Sequence, residues 1–286
     1  MVSRTVDTPT IARYEFKYAI PHSLLDPIRQ FIQGYCALDQ HAAPPDGFYS
    51  ITSLYLDDHR FQSFRDTDEG KPDRFKLRIR TYGTACDGPV NFEVKHRING
   101  AIVKSTVKFP GPDWTRFFQP CAAPDVERLP SPQRTALEKF LLLTRKFRAV
   151  PKMLVRYERL AFRSRTDQYV RVTFDRRLVH QTMPDYDLEG DSSRWRPIDD
   201  EGYMGKAESS LVLELKFMNR PPRWLEQLTR CFGLVRRGCS KYAGAVRRSV
   251  FQRELAWDRA PVPNWSIPYL PAPSWSAPGV PAPSWR

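Results

Sequence analysis

The chain has 286 residues, 41% of them hydrophobic, which is enough for a folded domain and excludes the disordered class. Its formal net charge of +13 predicts a polyanionic partner: a phosphate polymer, a nucleotide, a nucleic acid or an anionic lipid. The five cysteines and five histidines lack the spacings of a zinc site or a disulfide framework, which favours a reducing, cytoplasmic location. We find no apolar run typical of a signal peptide or a membrane span.

Apolar periodicity predicts an antiparallel, strand-rich α+β domain with helices between the strands. The predicted strands are 13–18, 49–57, 74–82, 90–97, 102–109, 153–163, 169–175 and 211–217. The predicted helices are 24–32, about 59–69, 131 to the proline at 151, 222–232 and about 240–254. The pair Asn99-Gly100 is a strong hairpin signal. We expect one domain over residues 11–255.

Residues 256–286 differ in composition from the rest of the chain. This stretch is rich in proline and tryptophan, contains PAPSW twice and carries almost no charge. Because proline fixes φ and removes backbone donors, we expect an extended tail without a core of its own. Removing the chain after about Ala260 is therefore expected to leave folding and activity intact.

The segment DRFKLRIRTY at 73–82 places cations on a single face. Alternate side chains of a strand point to opposite faces, so one face carries Arg74, Lys76, Arg78, Arg80 and Tyr82. The apolar residues of the segment lie on the other face. Four neighbouring cations repel one another, which predicts a counter-charge supplied from elsewhere.

The same alternation recurs in other predicted strands. Their polar faces carry Asn91, Glu93 and Lys95; Lys104, Thr106 and Lys108; Arg171, Thr173 and Asp175; and Glu214 and Lys216. A sheet with one solvated face would alternate in the same way, and for a single strand this is the better interpretation. The unbroken cationic row and the threefold recurrence of Glu-x-Lys favour a functional face instead.

Closing such strands into a barrel would turn the charged face inward and leave the apolar faces to be covered by helices. Inside, arginine and lysine would hold phosphate oxygens, and glutamate would hold a divalent cation. Phosphoryl transfer needs mainly positioning and charge neutralisation, so no protein nucleophile is required. The cationic strands lack interleaved exposed aromatic residues, which makes nucleic acid an unlikely partner.

A series of motifs, in order along residues 11–250, resembles the VTC domain, the polyphosphate polymerase module of the triphosphate tunnel metalloenzyme superfamily. The motifs are RYEFKY at 13–18, SLYLDD at 53–58, RFKLRIRTYG at 74–83, FEVKHR at 92–97, KSTVKF at 104–109, RYERLAF at 156–162, VRVTFD at 170–175, LELKF at 213–217 and SKYAGAV at 240–246. The first strand reads Arg13-x-Glu15-x-Lys17 where many tunnel enzymes have Glu-x-Glu-x-Lys. The exchange of a carboxylate for a cation favours polymer binding over multi-metal hydrolysis.

This resemblance implies a β-barrel tunnel that adds the γ-phosphate of ATP to a polyphosphate chain threaded through it, assisted by Mn²⁺ or Mg²⁺. It implies catalytic contacts with phosphate by Lys17, Arg78, Arg80, Lys95, Arg156 and Arg171. Further substrate contacts are expected from Arg74, Lys76, Lys104, Lys108, Lys216 and Lys241, and a metal contact from Glu214. Membrane-associated proteins are candidate partners.

Two alternatives remain open at the level of sequence. One is a triphosphatase of the same fold that makes no polymer. The other is a polyphosphate-binding module without catalysis.

Overall fold

The computed structural model describes residues 13–42, 44–83, 88–111, 113–119, 129–167, 169–199 and 210–251. The predicted tail at 256–286 lies outside the described residues, so expectations about it stay predictions. The same holds for the predicted helical residues beyond 251.

The described residues form an antiparallel sheet of ten strands. The strands are β1 (Arg13–Pro21), β2 (Cys36–Leu38), β3 (Tyr49–Asp57), β4 (Asp73–Tyr82), β5 (Val90–Ile98), β6 (Ala101–Phe109), β7 (Val150–Ser164), β8 (Arg171–Thr182), β9 (Arg196–Pro197) and β10 (Ser210–Met218). The predicted bounds of the long strands agree with the structure to within a few residues, except at the end of β8. That strand continues to Thr182, beyond its predicted end at 175.

The sheet curves into a ring. Its order is β7-β3-β4-β5-β6-β1-β10-β8, and β8 pairs again with β7, while the short strands β2 and β9 attach to β7 and β8. Among the described residues β1 and β6 share one pairing, Arg13 with Ile102, whereas β1 pairs with β10 from Arg13 to Pro21.

The described residues contain five α-helices, three of them between strands and two after β10. They are α1 (Leu25–Ile32), α2 (Gln62–Asp68), α3 (Ser131–Lys146), α4 (Arg223–Cys231) and α5 (Lys241–Val246), and a π-helical turn, Arg247–Phe251, follows α5. The prediction that Pro151 ends α3 is wrong. The helix ends at Lys146, Arg148 takes a left-handed φ of 48°, and Pro151 already lies in β7.

Apolar side chains on the outer face of the ring pack against helices. Leu77 and Ile79 of β4 lie in one buried cluster with Leu137 and Phe140 of α3. A second cluster joins β1 and β10 to α1 and α4. Burying a leucine or phenylalanine side chain contributes about 1.5–3 kcal/mol, so these contacts hold the apolar strand faces outward and the polar faces inward.

None of the helices in these residue ranges has the length and apolar character needed to cross a membrane.

We predict that Leu77→Ala lowers the free energy of unfolding by about 2–5 kcal/mol, because a fully buried side chain leaves a cavity between β4 and α3. Leu142, 65% exposed on α3, is the matched control, and its replacement by alanine should change stability by less than about 0.5 kcal/mol. Urea unfolding measures both. Equal effects at the two positions would contradict the packing described here.

Candidate functional site

The inner face of β4 carries the cationic row. Arg78 lies opposite Tyr55 of β3 and Glu93 of β5, and Arg80 lies opposite Ser53 and Asn91. Directly opposed residues share a face, so these side chains point into the ring while the packed apolar residues of β4 point out. This confirms the predicted division of the strand into a charged and an apolar face.

Glu93 is one of two carboxylate centres inside the ring. It is 1% exposed, and its carboxylate accepts hydrogen bonds from Arg78 and from the ammonium of Lys104. Burial alone would raise the pKa of Glu93, but Arg78, Arg80 and Lys104 outweigh it and hold the pKa below its usual value. Glu93 therefore remains an anion and neutralises part of the cationic row.

Glu214 is the second centre. Its carboxylate lies 3.0 Å from Lys17 Nζ, 2.8 Å from Lys216 Nζ, and 3.2 Å from both Arg159 Nη2 and Lys241 Nζ. Burial would raise the pKa of Glu214, and these four cations together hold it well below the usual range. One carboxylate thus joins β10, β1, β7 and α5.

Helix α5 lies at one end of the ring instead of on its outside, which corrects the expectation that all helices pack externally. All six of its residues are buried. Lys241 Nζ donates to Asp175 at 2.5 Å, and Tyr242 Oη donates to Asp57 at 2.6 Å. We call this end, where β3 finishes at Asp57, the Asp57 end. The opposite one, where β4 finishes, is the Tyr82 end.

Two inward cations are held by hydroxyl groups instead of carboxylates. Arg80, 5% exposed, donates from Nε to Ser53 Oγ and from Nη2 to Tyr157 Oη, each at 3.1 Å. Lys76 Nζ donates to Ser240 Oγ at 3.1 Å. Within the described residues neither cation has a carboxylate in ion-pair range, so both retain capacity for an anion.

Burial lowers the pKa of several inward-facing lysines, and neighbouring cations add to the shift. Burial, followed by Lys95 and Lys17, holds the pKa of Lys76 well below its usual value. The pKa of Lys95 falls to about 8 through burial, although Glu15 at 2.9 Å opposes the shift. Burial likewise lowers the pKa of Lys104 to about 8. An arriving anion would restore these charges.

The remaining predicted contacts lie towards the ends of the ring. Lys108 and Arg171 are exposed, and their register places them at the Tyr82 end, on the inner face. Arg74 lies at the Asp57 end, where its guanidinium donates to the carbonyl of Lys71. Lys216 and Lys104 lie between the ends, partly exposed, which shows that solvent reaches the charged interior.

Arg156 is not brought to the inner face. Arg156 pairs with Thr52 of β3, the neighbour of inward-facing Ser53, so Arg156 points outward. Its guanidinium donates to Thr52 Oγ1 at 3.0 Å and lies 4.5 Å from the centre of the Trp195 ring. Arg159 faces the interior instead.

The sequence analysis assigned no role to Arg159 or Asp175. Arg159 donates to both oxygens of Asp175, at 2.6 and 2.7 Å, and Asp175 is fully buried. Alternation had placed Asp175 on the charged face without a partner. For Arg159 the available signal was alternation: it lies three residues from Arg156 and so on the opposite face of β7, but the motif comparison singled out Arg156.

The carboxylates limit what metal the ring could hold. Among the described residues no three acidic, histidine or cysteine side chains come together as a binding group. The carboxylates of Glu214 and Glu15 lie 3.0 and 3.1 Å from Lys17 Nζ, so these two carboxylates are adjacent. The surrounding cations would repel a bare metal ion. The donors fit an Mg²⁺ or Mn²⁺ ion that takes most of its ligands from phosphate and water.

Comparisons with known proteins give a distant structural likeness and a family. The solved structure of the PH1819 protein from Pyrococcus horikoshii OT3 is similar over 82% of this chain and 99% of its own, with 11% identity and a TM-score of 0.41, which is too distant to support an argument. No curated protein matches the chain. The profile of the VTC domain matches residues 12–250, and the chain therefore belongs to the VTC domain family.

Proposed function

We propose that this protein is a polyphosphate polymerase, which transfers the γ-phosphate of ATP to a growing inorganic polyphosphate chain. The VTC domain family is associated with that activity. The supporting observation is that, among the described residues, cations outnumber carboxylates on the inner face and the side chains of Arg80 and Lys76 donate to hydroxyl groups with no carboxylate in ion-pair range. A phosphate chain would supply the missing negative charge.

In this proposal the ring acts as a tunnel and the phosphates of ATP enter from the Tyr82 end. Exposed Lys108 and Arg171 would attract the polyanion there, and Arg78, Arg80, Lys95 and Lys104 would hold it further in. Arginine binds two phosphate oxygens at once, whereas lysine acts as a point charge. Helix α5 stands at the Asp57 end, so a chain passing right through would require α5 to move.

The chemistry requires a bond between the γ-phosphorus and a terminal oxygen of the polymer to form as the bond to the bridging oxygen of ADP breaks. Three cations form ion pairs with Glu214: Lys17, Arg159 and Lys241. They would neutralise the charge that develops on the leaving oxygen. Glu214, with Glu15 beside it, would hold Mn²⁺ or Mg²⁺, which when bound would neutralise and bridge phosphate oxygens. No residue of the chain needs to become covalently modified.

The direct test is incubation of the full chain with ATP and Mn²⁺, followed by gel analysis for long-chain polyphosphate. We expect polymer together with ADP. Free phosphate without polymer would identify a triphosphatase instead. Tight polyphosphate binding without turnover in Mn²⁺ or Mg²⁺ would identify a binding module.

We predict that Arg78→Ala and Arg80→Ala weaken binding of both ATP and polyphosphate, and that the lysine variants are impaired less but still measurably. Lysine keeps the charge and loses the bidentate geometry. Isothermal titration calorimetry measures the affinities. Arg156→Ala, on the outer face, is the matched comparison and should affect affinity least; wild-type binding by Arg80→Ala would refute an inward phosphate clamp.

Glu214→Gln should abolish turnover and leave polyphosphate binding intact or stronger. The amide keeps the size but removes the negative charge from among four cations, so the field seen by phosphate becomes more positive. Binding and turnover are measured on protein shown to be folded by circular dichroism. Turnover close to that of the wild type in saturating Mn²⁺ would exclude the proposed role.

Polyphosphate affinity should fall as the pH rises above about 8. Lys95 and Lys104, each with a pKa of about 8, are charged below that pH and neutral above it, so binding at pH 8.5 should take up protons. Calorimetry in two buffers of different ionisation enthalpy measures the uptake. Lys104→Arg, which stays protonated, should reduce it, and an absence of uptake in the wild type would contradict the assigned shifts.

A further inference from the structure

Three aromatic rings lie together at the Tyr82 end of the ring. His41 stacks on Tyr82, with 5.6 Å between ring centres and 16° between ring planes. Tyr49 lies 5.9 Å from His41 and 6.3 Å from Tyr82. His41 is exposed, so a second planar group can reach its outer surface.

The position of His41 is fixed by a buried carboxylate. Asp39 is 5% exposed, and its Oδ1 accepts a hydrogen bond from the backbone nitrogen of His41 at 3.1 Å. Its Oδ2 accepts from Arg163 Nε at 2.8 Å, and its backbone nitrogen donates to the carbonyl of Ala161 at 2.8 Å. The turn that presents the imidazole is therefore held against β7.

This aromatic group lies beside the phosphate-binding cations. Tyr82 is two residues beyond Arg80 on the same face, and at about 3.3 Å per residue the two are about 7 Å apart along the strand, with Arg78 about 13 Å away. Arg171, exposed at the same end, lies near Tyr49 and Tyr82. The spacing matches a planar base joined through a sugar to a row of phosphates.

We propose that the outer surface of His41, backed by Tyr82, is the subsite for the base of a nucleoside triphosphate. The inference rests on the proposed function, and adds which end of the ring takes the nucleoside and how it is recognised. A phosphate polymer has no planar group to stack, so the subsite distinguishes the donor from the polymer. Stacking accepts any base, so ATP and GTP should bind with similar affinity.

The test compares ATP with inorganic tripolyphosphate, which has phosphates but no base. Binding of each to the full-length protein is measured by calorimetry in EDTA, so that turnover does not interfere. We expect His41→Ala to weaken ATP binding by at least about fivefold, the lower limit for loss of one stacked base, and to change tripolyphosphate binding by less than about twofold. His41→Phe, which keeps an aromatic ring, should restore ATP binding.

His59→Ala is the matched control, because His59 is also exposed but lies after the Asp57 end of β3. It should change neither affinity. Equal effects of His41→Ala on ATP and tripolyphosphate, or no effect on either, would overturn the subsite while leaving the proposed function standing. Failure of the wild-type protein to bind both ligands would instead overturn the proposed function, and the subsite with it.

Discussion

The structure depends on the confinement of like charges inside a closed sheet. Apolar packing on the outer face turns the cationic faces of the strands inward, where they repel one another. Glu214 offsets this repulsion by contacting cations from β1, β7, β10 and α5. Removing one partner of such a buried pair typically costs about 3–5 kcal/mol, because the remaining charges are left uncompensated. The carboxylates therefore contribute to the stability of the fold as well as to the proposed chemistry.

In the described part of the chain, carboxylates form ion pairs with some of the inward-facing cations and not with others. Glu93 forms ion pairs with Arg78 and Lys104, whereas Arg80 and Lys76 donate to hydroxyl groups. A hydroxyl satisfies the Arg80 guanidinium without cancelling its charge, while burial and nearby cations hold the pKa of Lys76 well below its usual value. At both positions an external anion would be stabilising, which links the stability of the ring to the binding proposed for it.

Much of the fold followed from alternation and helix periodicity, because the outer faces of the strands are largely apolar; Leu77 and Ile79 of β4 are examples. Three features were not predicted. The motif comparison chose Arg156, but the pairing of β7 with β3 places that residue opposite outward-facing Thr52 and turns Arg159 inward. The helix from Lys241 was expected, but its place at the Asp57 end of the ring depends on distant Asp175 and Asp57. The partner of each carboxylate depends on how the sheet closes.

The most direct measurement of the central claim is the melting temperature of the protein in polyphosphate against sodium chloride at equal ionic strength. A ligand that fills the uncompensated cationic positions stabilises the folded state by about 2.7 kcal/mol at a concentration of 100 times its Kd. For a domain of this size that corresponds to a rise of roughly 5–10 °C. The account predicts this rise in polyphosphate, a small change in chloride, and a reduced rise for Arg80→Ala. Equal melting temperatures in the two salts would contradict it.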